Sequence, residues 1–116
     1  LDGFKLVNDT HGHESGDAML KSVAARLIEQ VRPGDTVARL AGDEFVIVFK
    51  HAELRIAQQV CARIQTAVRS FDWPSIAKGL HSSISVGVAV AVPGDTVESL
   101  THRSDGAMYA EKKRRK

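Results

Sequence analysis

Two adjacent acids, Asp43 and Glu44, are the residue pair best suited to chemistry. They follow Ala41-Gly42 between two runs rich in β-branched and aromatic residues, which predicts a tight turn at a hairpin tip. Carboxylates at such a tip can bind a divalent cation, because the cations that accompany nucleotides prefer oxygen ligands. The alternative is a soluble turn without a ligand, since Asp is common in tight turns.

Asn8 and Asp17 stand on either side of a glycine-rich turn further upstream. A carboxylate can accept the N1–H and N2–H of guanine, and an amide can reach the base's acceptor atoms, so the pair has the chemistry of a guanine site. Both residue types are also common helix caps, and capping is compatible with ligand contact. On these residues alone, both interpretations stay open.

The chain ends in a basic tail, residues 112–116. It accounts for the net charge of +2, since the rest of the chain has 11 basic against 14 acidic residues. A tail of this kind is typical of a solvated end or a nucleic-acid patch, and phosphate binding competes with both.

The spacing of apolar residues predicts the elements that position these groups. Helices are predicted, from apolar residues recurring at intervals of three and four, over residues 2–9, 16–31, 52–69 and 97–113. Asp95 or Thr96 is expected to cap the last of them. Strands are predicted, from β-branched enrichment, over residues 36–40, 45–49 and 80–92. The second strand is continuously apolar and is expected to be covered on both faces. Residues 71–79 are predicted to form a loop with room for an edge strand.

This order of elements predicts an α/β fold, more closely an α+β sandwich with a mainly antiparallel sheet flanked by helices. A chain of 116 residues suffices for a single domain over residues 1–116. Three strands are few for four helices, so a further strand is expected before Leu1. The single cysteine, Cys61, excludes an intrachain disulfide and is expected to be a small buried hydrophobe. The sequence has neither a run of about 18 apolar residues nor a signal peptide.

Four pieces of the sequence resemble the GGDEF family of diguanylate cyclases. They are F-K-x-x-N-D-x-x-G-H-x-x-G-D at residues 4–17, A-R-x-[A/G]-G-D-E-F at 38–45, S-x-G-V-A at 85–89 and A-M-Y at 107–109. Their order and spacing agree with the family over nearly the whole chain. The resemblance implies a nucleotidyl-cyclase, polymerase-palm-like fold whose central first strand and preceding helix lie before Leu1. It also places the family's first metal-binding aspartate one position before Leu1.

The resemblance further implies roles for single residues. Asp43 is implied as a metal ligand and as the group that activates the attacking 3′-hydroxyl, with Glu44 supporting the site. Leu1 is implied to offer its backbone carbonyl to the metal, and Lys5 to stabilise charge on the phosphates. Substrate-binding roles are implied for six residues: Asn8, His13, Asp17, Gly42, Lys112 and Lys116. Among them, Asn8 and Asp17 are implied to bind guanine, and Lys112 and Lys116 to bind the triphosphate.

A second site is implied by the R-x-x-D motif of Arg32 and Asp35. As bare sequence at a helix end, this motif indicates a turn with an incidental ion pair. The resemblance implies instead an allosteric site for the product, in which Arg63 from the third helix supplies a further guanidinium.

The function implied is a diguanylate cyclase that uses Mg²⁺ or Mn²⁺ to condense two GTP into cyclic di-GMP and two pyrophosphates. One domain holds one GTP, so a homodimer with facing active sites is expected, controlled by an upstream sensory domain and inhibited by cyclic di-GMP. We expect a cytoplasmic domain without a nucleic-acid partner. The alternative is a catalytically impaired domain that senses GTP or cyclic di-GMP and regulates an attached EAL phosphodiesterase. A domain that serves only as a dimerising scaffold is the third possibility.

Three departures from the family pattern bear on activity. Ala41 replaces the first glycine of the signature, which would cost about 1 kcal/mol if that position needs a positive φ. Glu111, Arg115 and Lys116 alter the family's closing A-K-x-x-G-R, and Lys lacks the bidentate fork of Arg. The metal-binding aspartate and its strand precede Leu1, so we expect the 116 residues alone to be inactive and poorly stable.

Overall fold

A computed structural model describes residues 1–50 and 52–114, and the side chains of Ala41 and Arg114 lie outside that description. The described elements, in chain order, are α1 (Phe4–His11), α2 (His13–Gln30), β1 (Thr36–Ala41), β2 (Glu44–Val48), α3 (Leu54–Ser70), a 3₁₀ turn (Trp73–Ser75) and α4 (Val97–Arg114). The predicted α+β class is therefore confirmed, with four α-helices and a two-stranded antiparallel sheet in the described residues.

The first two helices are separated by a single residue, Gly12. Its φ of 89° lies in the region that favours glycine, and its N–H donates to the Asn8 carbonyl at 2.9 Å, which ends α1. The predicted bounds, 2–9 and 16–31, left a longer break than exists. The apolar spacing could not show that the polar residues 13–15 already belong to α2.

The core lies between α2 and α3. From α2 it takes Met19, Val23 and Leu27, and from α3 it takes Val60, Ile64 and Val68, all of them buried. The helical spacing predicted Met19, Val23, Leu27, Ile64 and Val68 at core positions, whereas Val60 was not part of the predicted stripe. Trp73 also enters this core with 1% of its surface exposed. Its indole N–H donates to the Val68 carbonyl at 2.7 Å, so the polar end of the ring is satisfied.

The Trp73 turn replaces the edge strand for which residues 71–79 had room. Phe71 meets the Trp73 ring edge-on, with centroids 4.8 Å apart, and the Arg26 guanidinium lies 4.8 Å from the centre of the Phe71 ring. The buried Trp73 ring, its edge-on contact with the partly buried Phe71 and the cation over Phe71 stabilise this compact turn.

Strands β1 and β2 form the predicted hairpin, with Val37 opposite Ile47 and Arg39 opposite Phe45. The register shifts between Arg39 and Ala41, so Leu40 is the extra residue of a bulge. Val37, Phe45 and Ile47 pack against the core. The expectation that β2 is covered on both faces is wrong for the described structure, because Val48 is 56% exposed.

The segment of residues 80–92, predicted as a strand, does not form one in the described structure, whose sheet consists of β1 and β2. Its period-2 pattern is real, since Leu80 and Ile84 enter the core. A strand, however, is defined by the backbone ladder that it shares with a neighbour, and the sheet in the described residues consists of β1 and β2.

Helix α4 packs its backbone against this segment at Gly87. A Cβ on Gly87 would overlap the Ser104 carbonyl and the Met108 amide, and it would lie 2.9 Å from Met108 Cα. The predicted cap of α4 is confirmed, because Thr96 Oγ1 accepts the Ser99 N–H at 3.0 Å and Ser99 Oγ accepts the Thr96 N–H at 2.9 Å.

Candidate nucleotide and metal site

The hairpin turn at residues 42–43 carries the two adjacent acids. The left-handed backbone of this turn falls on Gly42, with φ at 48°, whereas Ala41 ends β1 and pairs with Glu44. The cost anticipated for alanine at a positive φ therefore does not arise at Ala41. The Arg39 guanidinium braces the turn, since its Nε donates to the Gly42 carbonyl at 2.7 Å.

Leu1 lies directly beside this turn. Its backbone nitrogen donates to the Asp43 carbonyl at 3.2 Å, across 42 residues of sequence. The structure thus brings together the two residues that were implied to face one metal, Leu1 through its carbonyl and Asp43 through its carboxylate. Asp43 and Glu44 are both only partly buried.

Asp2 connects this corner to two other parts of the chain. Its carboxylate accepts hydrogen bonds from Ser83 Oγ at 2.8 Å and from Ser85 Oγ at 2.9 Å, and its N–H donates to the Ser83 carbonyl at 2.9 Å. The Lys112 ammonium on α4 lies 3.9 Å from Asp2 Oδ1. Because Leu1 directly precedes Asp2 in the sequence, Lys112 is thereby held near Leu1.

Asp2 is a residue that the sequence reasoning missed. Its partners lie 81 and 83 positions away, so no local pattern announces them. The available signal was indirect: an acid two positions before the motif that begins at Phe4, together with the serine of the S-x-G-V-A piece.

The donor set at this corner fits a hard cation in kind but is incomplete in number. Asp43 and the Leu1 carbonyl offer the oxygen ligands that Mg²⁺ and Mn²⁺ prefer. Within residues 1–50 and 52–114, no cluster of three or more His, Cys, Asp or Glu side chains could hold a metal ion. Further oxygens would have to come from water, from a nucleotide or from the aspartate expected before Leu1.

Asn8 and Asp17 lie on the two facing helices, and the alternative that they are helix caps is wrong. Helix α2 begins at His13, so Asp17 is its fifth residue, and Asn8 lies inside α1. The Asn8 side chain, half-buried, instead packs against Gly16, where an added Cβ would lie 2.9 Å from Asn8 Cγ. Asp17 is exposed beside it.

Lys5 and His13 are exposed on α1 and at the start of α2. In the part of the chain that the structure describes, no hydrogen bond or ion pair joins Lys5, His13 or Asp17 to the hairpin acids. The predicted residues therefore form two groups, one around Asp43 and one around Asn8, connected by the first turn of α1. Lys116 lies outside the described residues.

Arg32 and Asp35 form the ion pair that the bare motif predicted. The Asp35 side chain is 2% exposed, and it accepts the Arg32 N–H at 2.9 Å, the Arg32 Nε at 3.3 Å and the Lys50 N–H at 3.1 Å. These bonds, led by that from the Arg32 side chain, hold the pKa of Asp35 below its usual value. Arg63 donates to Gln30 Oε1 at 3.3 Å, two residues before Arg32, so both guanidinium groups approach the end of α2.

Other surface features lie away from these groups. A depression of about 430 Å³ at the start of α4 contains none of the predicted site residues, and its lining consists of Thr96, Glu98, Ser99, His102 and Arg103. Arg103 is engaged there with both Asp95 oxygens, each at 2.7 Å. Among the described helices, none combines the length and the apolar character needed to cross a membrane.

Comparison with known proteins extends the resemblance over the full length. The chain matches the family described as "Diguanylate cyclase, GGDEF domain" over residues 1–116. It is 34% identical over 115 residues to diguanylate cyclase VdcA of Vibrio cholerae, covering 97% of this chain and 34% of VdcA. It is 40% identical over 114 residues to MucR of Pseudomonas aeruginosa, a bifunctional diguanylate cyclase/cyclic di-GMP phosphodiesterase, covering 97% and 16% respectively. The chain thus spans about a third or less of these relatives.

A solved structure agrees with the fold. The GGDEF domain of DgcB from Caulobacter crescentus, crystallised in complex with c-di-GMP, superposes with a TM-score of 0.87 at 30% identity. The match covers 97% of this chain and 67% of that domain's chain.

Proposed function

Because the chain belongs to the GGDEF family of diguanylate cyclases, we propose that it carries the nucleotide face of a domain that condenses two GTP into cyclic di-GMP. The observation that carries this proposal is the contact between Leu1 and Asp43, with Lys112 held nearby through Asp2. The residues of this corner carry a backbone carbonyl, a carboxylate and an ammonium group, which is the chemistry needed to hold a metal-bound triphosphate.

Asp43 is the proposed catalytic residue. Its carboxylate takes the proton of the 3′-hydroxyl, directly or through water, as that oxygen bonds to the α-phosphorus of a second GTP. The bond from the α-phosphorus to pyrophosphate breaks in the same step, and Lys5 and Lys112 offset the negative charge of the leaving group. A second, equivalent transfer closes the ring. Glu44, paired with the end of β1, keeps the turn in place.

The metal is proposed to be Mg²⁺ or Mn²⁺, held by the Asp43 carboxylate and the Leu1 carbonyl. When bound, it would neutralise the triphosphate and make the α-phosphorus easier to attack. The protein's own contribution is to position these oxygens, which the Leu1–Asp43 hydrogen bond supports. Gly42, without a side chain, leaves room beside the turn.

The guanine is proposed to bind between α1 and α2. Asp17 accepts the N1–H and N2–H of the base, and Asn8 reaches an acceptor atom beside them. His13, exposed at the start of α2, completes this group, and Lys116 is proposed to join Lys112 on the triphosphate.

The assembly around this domain is also a proposal. Each domain binds one GTP, so two copies must face each other for one 3′-oxygen to reach the other α-phosphorus. An upstream sensory domain, in a cytoplasmic or membrane-anchored protein, would control that encounter. The 116 residues by themselves are proposed to be inactive, since they lack the aspartate expected before Leu1.

The test is synthesis of cyclic di-GMP by the whole protein with GTP and Mg²⁺, measured by chromatography. Asp43→Asn should lower the rate about a hundredfold or more, because it removes the proton acceptor and a metal ligand. Asp72→Asn, at an exposed loop acid after α3, is the control and should retain the wild-type rate. Equal rates in Asp43→Asn and wild type would refute the catalytic role, and no product from wild type would refute the cyclase.

A regulatory module that binds cyclic di-GMP is the second candidate. The approach of Arg32 and Arg63 to the end of α2 supports it, because two guanidinium groups suit phosphates and the Hoogsteen edge of guanine. MucR, which combines both enzyme activities, makes an attached EAL domain a reasonable proposal. Binding of cyclic di-GMP that Arg63→Ala weakens, in a protein without cyclase activity, would favour this function.

A further inference from the structure

Gly16 lies where the two helices of the proposed guanine site touch. It is a buried residue in the first turns of α2, and its N–H donates to the Gly12 carbonyl at 3.2 Å. A Cβ on this residue would lie 2.9 Å from Asn8 Cγ and 3.4 Å from Asn8 Nδ2, and nearer still to Asn8 Oδ1. The Asn8 carboxamide therefore fills the volume that any side chain at position 16 would need.

This packing orients the amide of Asn8. Oδ1 is the Asn8 side-chain atom nearest to the Cβ position of Gly16. A Cα–H group of Gly16 can donate a weak hydrogen bond to this oxygen but cannot accept one from an N–H group. The NH₂ group is the farthest of the three terminal atoms from that position. Gly16 thus lets the Asn8 oxygen pack against its backbone, and among the described residues no hydrogen bond engages the Asn8 NH₂ group, which can donate to a ligand.

The next residue, Asp17, is exposed and supplies acceptors only. A donor from Asn8 and acceptors from Asp17 match guanine, whose N1–H and N2–H donors lie beside the acceptors O6 and N3. Adenine presents an amino group in place of O6 and an acceptor in place of N1–H, so a donor from Asn8 at O6 and the acceptors of Asp17 at N1–H would both be mismatched.

We propose that Gly16 determines the base specificity of this site, by holding the Asn8 carboxamide with its NH₂ toward the nucleobase. This inference rests on the proposed GTP-binding function. Gly16 is a positioning residue, since it acts through Asn8 and does not itself touch the base.

Gly16→Ala is the direct test, with binding of non-hydrolysable GTP and ATP analogues in Mg²⁺ measured by calorimetry on the whole protein. The added methyl must displace Asn8, so GTP-analogue affinity should fall about tenfold, as for one lost hydrogen bond, and the preference over the ATP analogue should narrow. Gly106→Ala is the matched control. Gly106 is also helical, but it is exposed with no atom within 4 Å of an added Cβ. Alanine favours helix at both positions, so a loss confined to position 16 is not a propensity effect.

A double variant separates positioning from damage. In an Asn8→Ala background the clash is gone, so Gly16→Ala should cause no further loss of affinity. A loss that persists there, or wild-type affinity in Gly16→Ala, would overturn the proposal. If Gly16→Ala fails to fold, thermal unfolding of the Asn8→Ala/Gly16→Ala protein should recover the midpoint of Asn8→Ala.

Asn8→Asp tests the donor end with Gly16 intact. Aspartate has the shape of asparagine but only acceptors, so binding of the GTP analogue should weaken while that of the ATP analogue, which offers N6–H, weakens less. Unchanged GTP preference in Asn8→Asp would overturn the proposed orientation. Failure of the wild-type protein to bind either analogue is a different result, because it refutes the proposed function and the inference that rests on it.

Discussion

Glu111 is one of the three C-terminal residues that depart from the family pattern, and its carboxylate joins three parts of the chain. Gln65 Nε2 on α3 donates to Oε1 at 2.7 Å, and the Val86 N–H donates to Oε2 at 3.1 Å. A small residue at this position of α4 could make neither bond. The departure thus strengthens the packing of α4 on its neighbours, and it does not remove a group from the proposed site.

Cys61 lies within the field of this carboxylate and is 8% exposed on α3. Burial, and after it the charge of Glu111, raises the pKa of the Cys61 thiol to about 11. The sequence prediction that Cys61 is a small buried hydrophobe is confirmed as to burial, and the raised pKa makes its reactivity testable.

We predict that Cys61 in the folded protein reacts with iodoacetamide at pH 8 about a hundredfold more slowly than in guanidinium, because only the thiolate reacts. The pKa of the Cys61 thiol is higher in the folded than in the unfolded chain, so the neutral thiol stabilises the fold at pH values below about 9, the ordinary pKa of the thiol. That contribution, on the order of 2 kcal/mol, is lost as pH rises toward 11. Denaturant titrations of wild type and Cys61→Ala at pH 8 and 11 should show the steeper decline in wild type. Equal alkylation rates in the folded and unfolded states would contradict the prediction.

The residues of the proposed site divide by how far their partners lie along the chain. Asp43, Asn8 and Asp17 were identifiable because their motifs are short and strongly patterned. Asp2 and Gly16 were not assigned roles, because what defines them is a contact across the fold, with Ser83 for the one and with Asn8 for the other. The roles of all these residues toward a ligand stay predictions.

At the scale of elements, the docking of α4 depends on the absence of a side chain at Gly87. The atoms that a Cβ would meet there belong to the backbone of α4, which cannot rotate away as a side chain can. This gives a physical reason for glycine in the S-x-G-V-A piece, which the sequence reasoning used only as a resemblance.

We predict that Gly87→Ala lowers the free energy of unfolding by about 1–3 kcal/mol, because α4 must move away from residues 83–88. Thermal or urea unfolding of the whole protein measures it. Gly106→Ala, with open space around the added methyl on the same helix, should be neutral or slightly stabilising. If both variants unfold at the same midpoint, the close approach of α4 to Gly87 is wrong.

The helices were the most predictable elements, since their apolar spacing is local and most residues of the predicted stripes are buried, Ile28 and Leu54 being the exposed exceptions. The hairpin was predictable in place but not in detail. Leu40 is the bulge residue at 53% exposure, and nothing in its type distinguishes it from a paired strand residue. The pattern of residues 80–92 predicted a strand, but whether this segment pairs cannot be read from the segment alone, because a hydrogen-bonded ladder needs a second strand.

At the scale of the whole molecule, residues 80–92 are the segment beside which a further strand is expected. Leu80, Ile84 and Ser85 are buried, and Asp2 ties Ser83 to the start of the chain, so the segment is already in place. Val90 and Val92, by contrast, are about half exposed. Exposed apolar side chains such as these can be covered by a further strand that packs alongside the segment.

We predict that a strand preceding Leu1 pairs with residues 82–90 in the whole protein. Hydrogen exchange followed by mass spectrometry should then show these amides protected at least about a hundredfold more in the whole protein than in the 116-residue chain. The amides of α2 around Val23 and Leu27 are the internal reference, because their bonds lie within the helix. If the short chain is poorly stable, as we expect, the α2 amides will also lose protection in it, so the protection of residues 82–90 is compared with that of α2 within each protein. Fast exchange at 82–90 beside a protected α2 in the whole protein would exclude the added strand. The aspartate expected at its end would then have no such route to the Leu1–Asp43 corner.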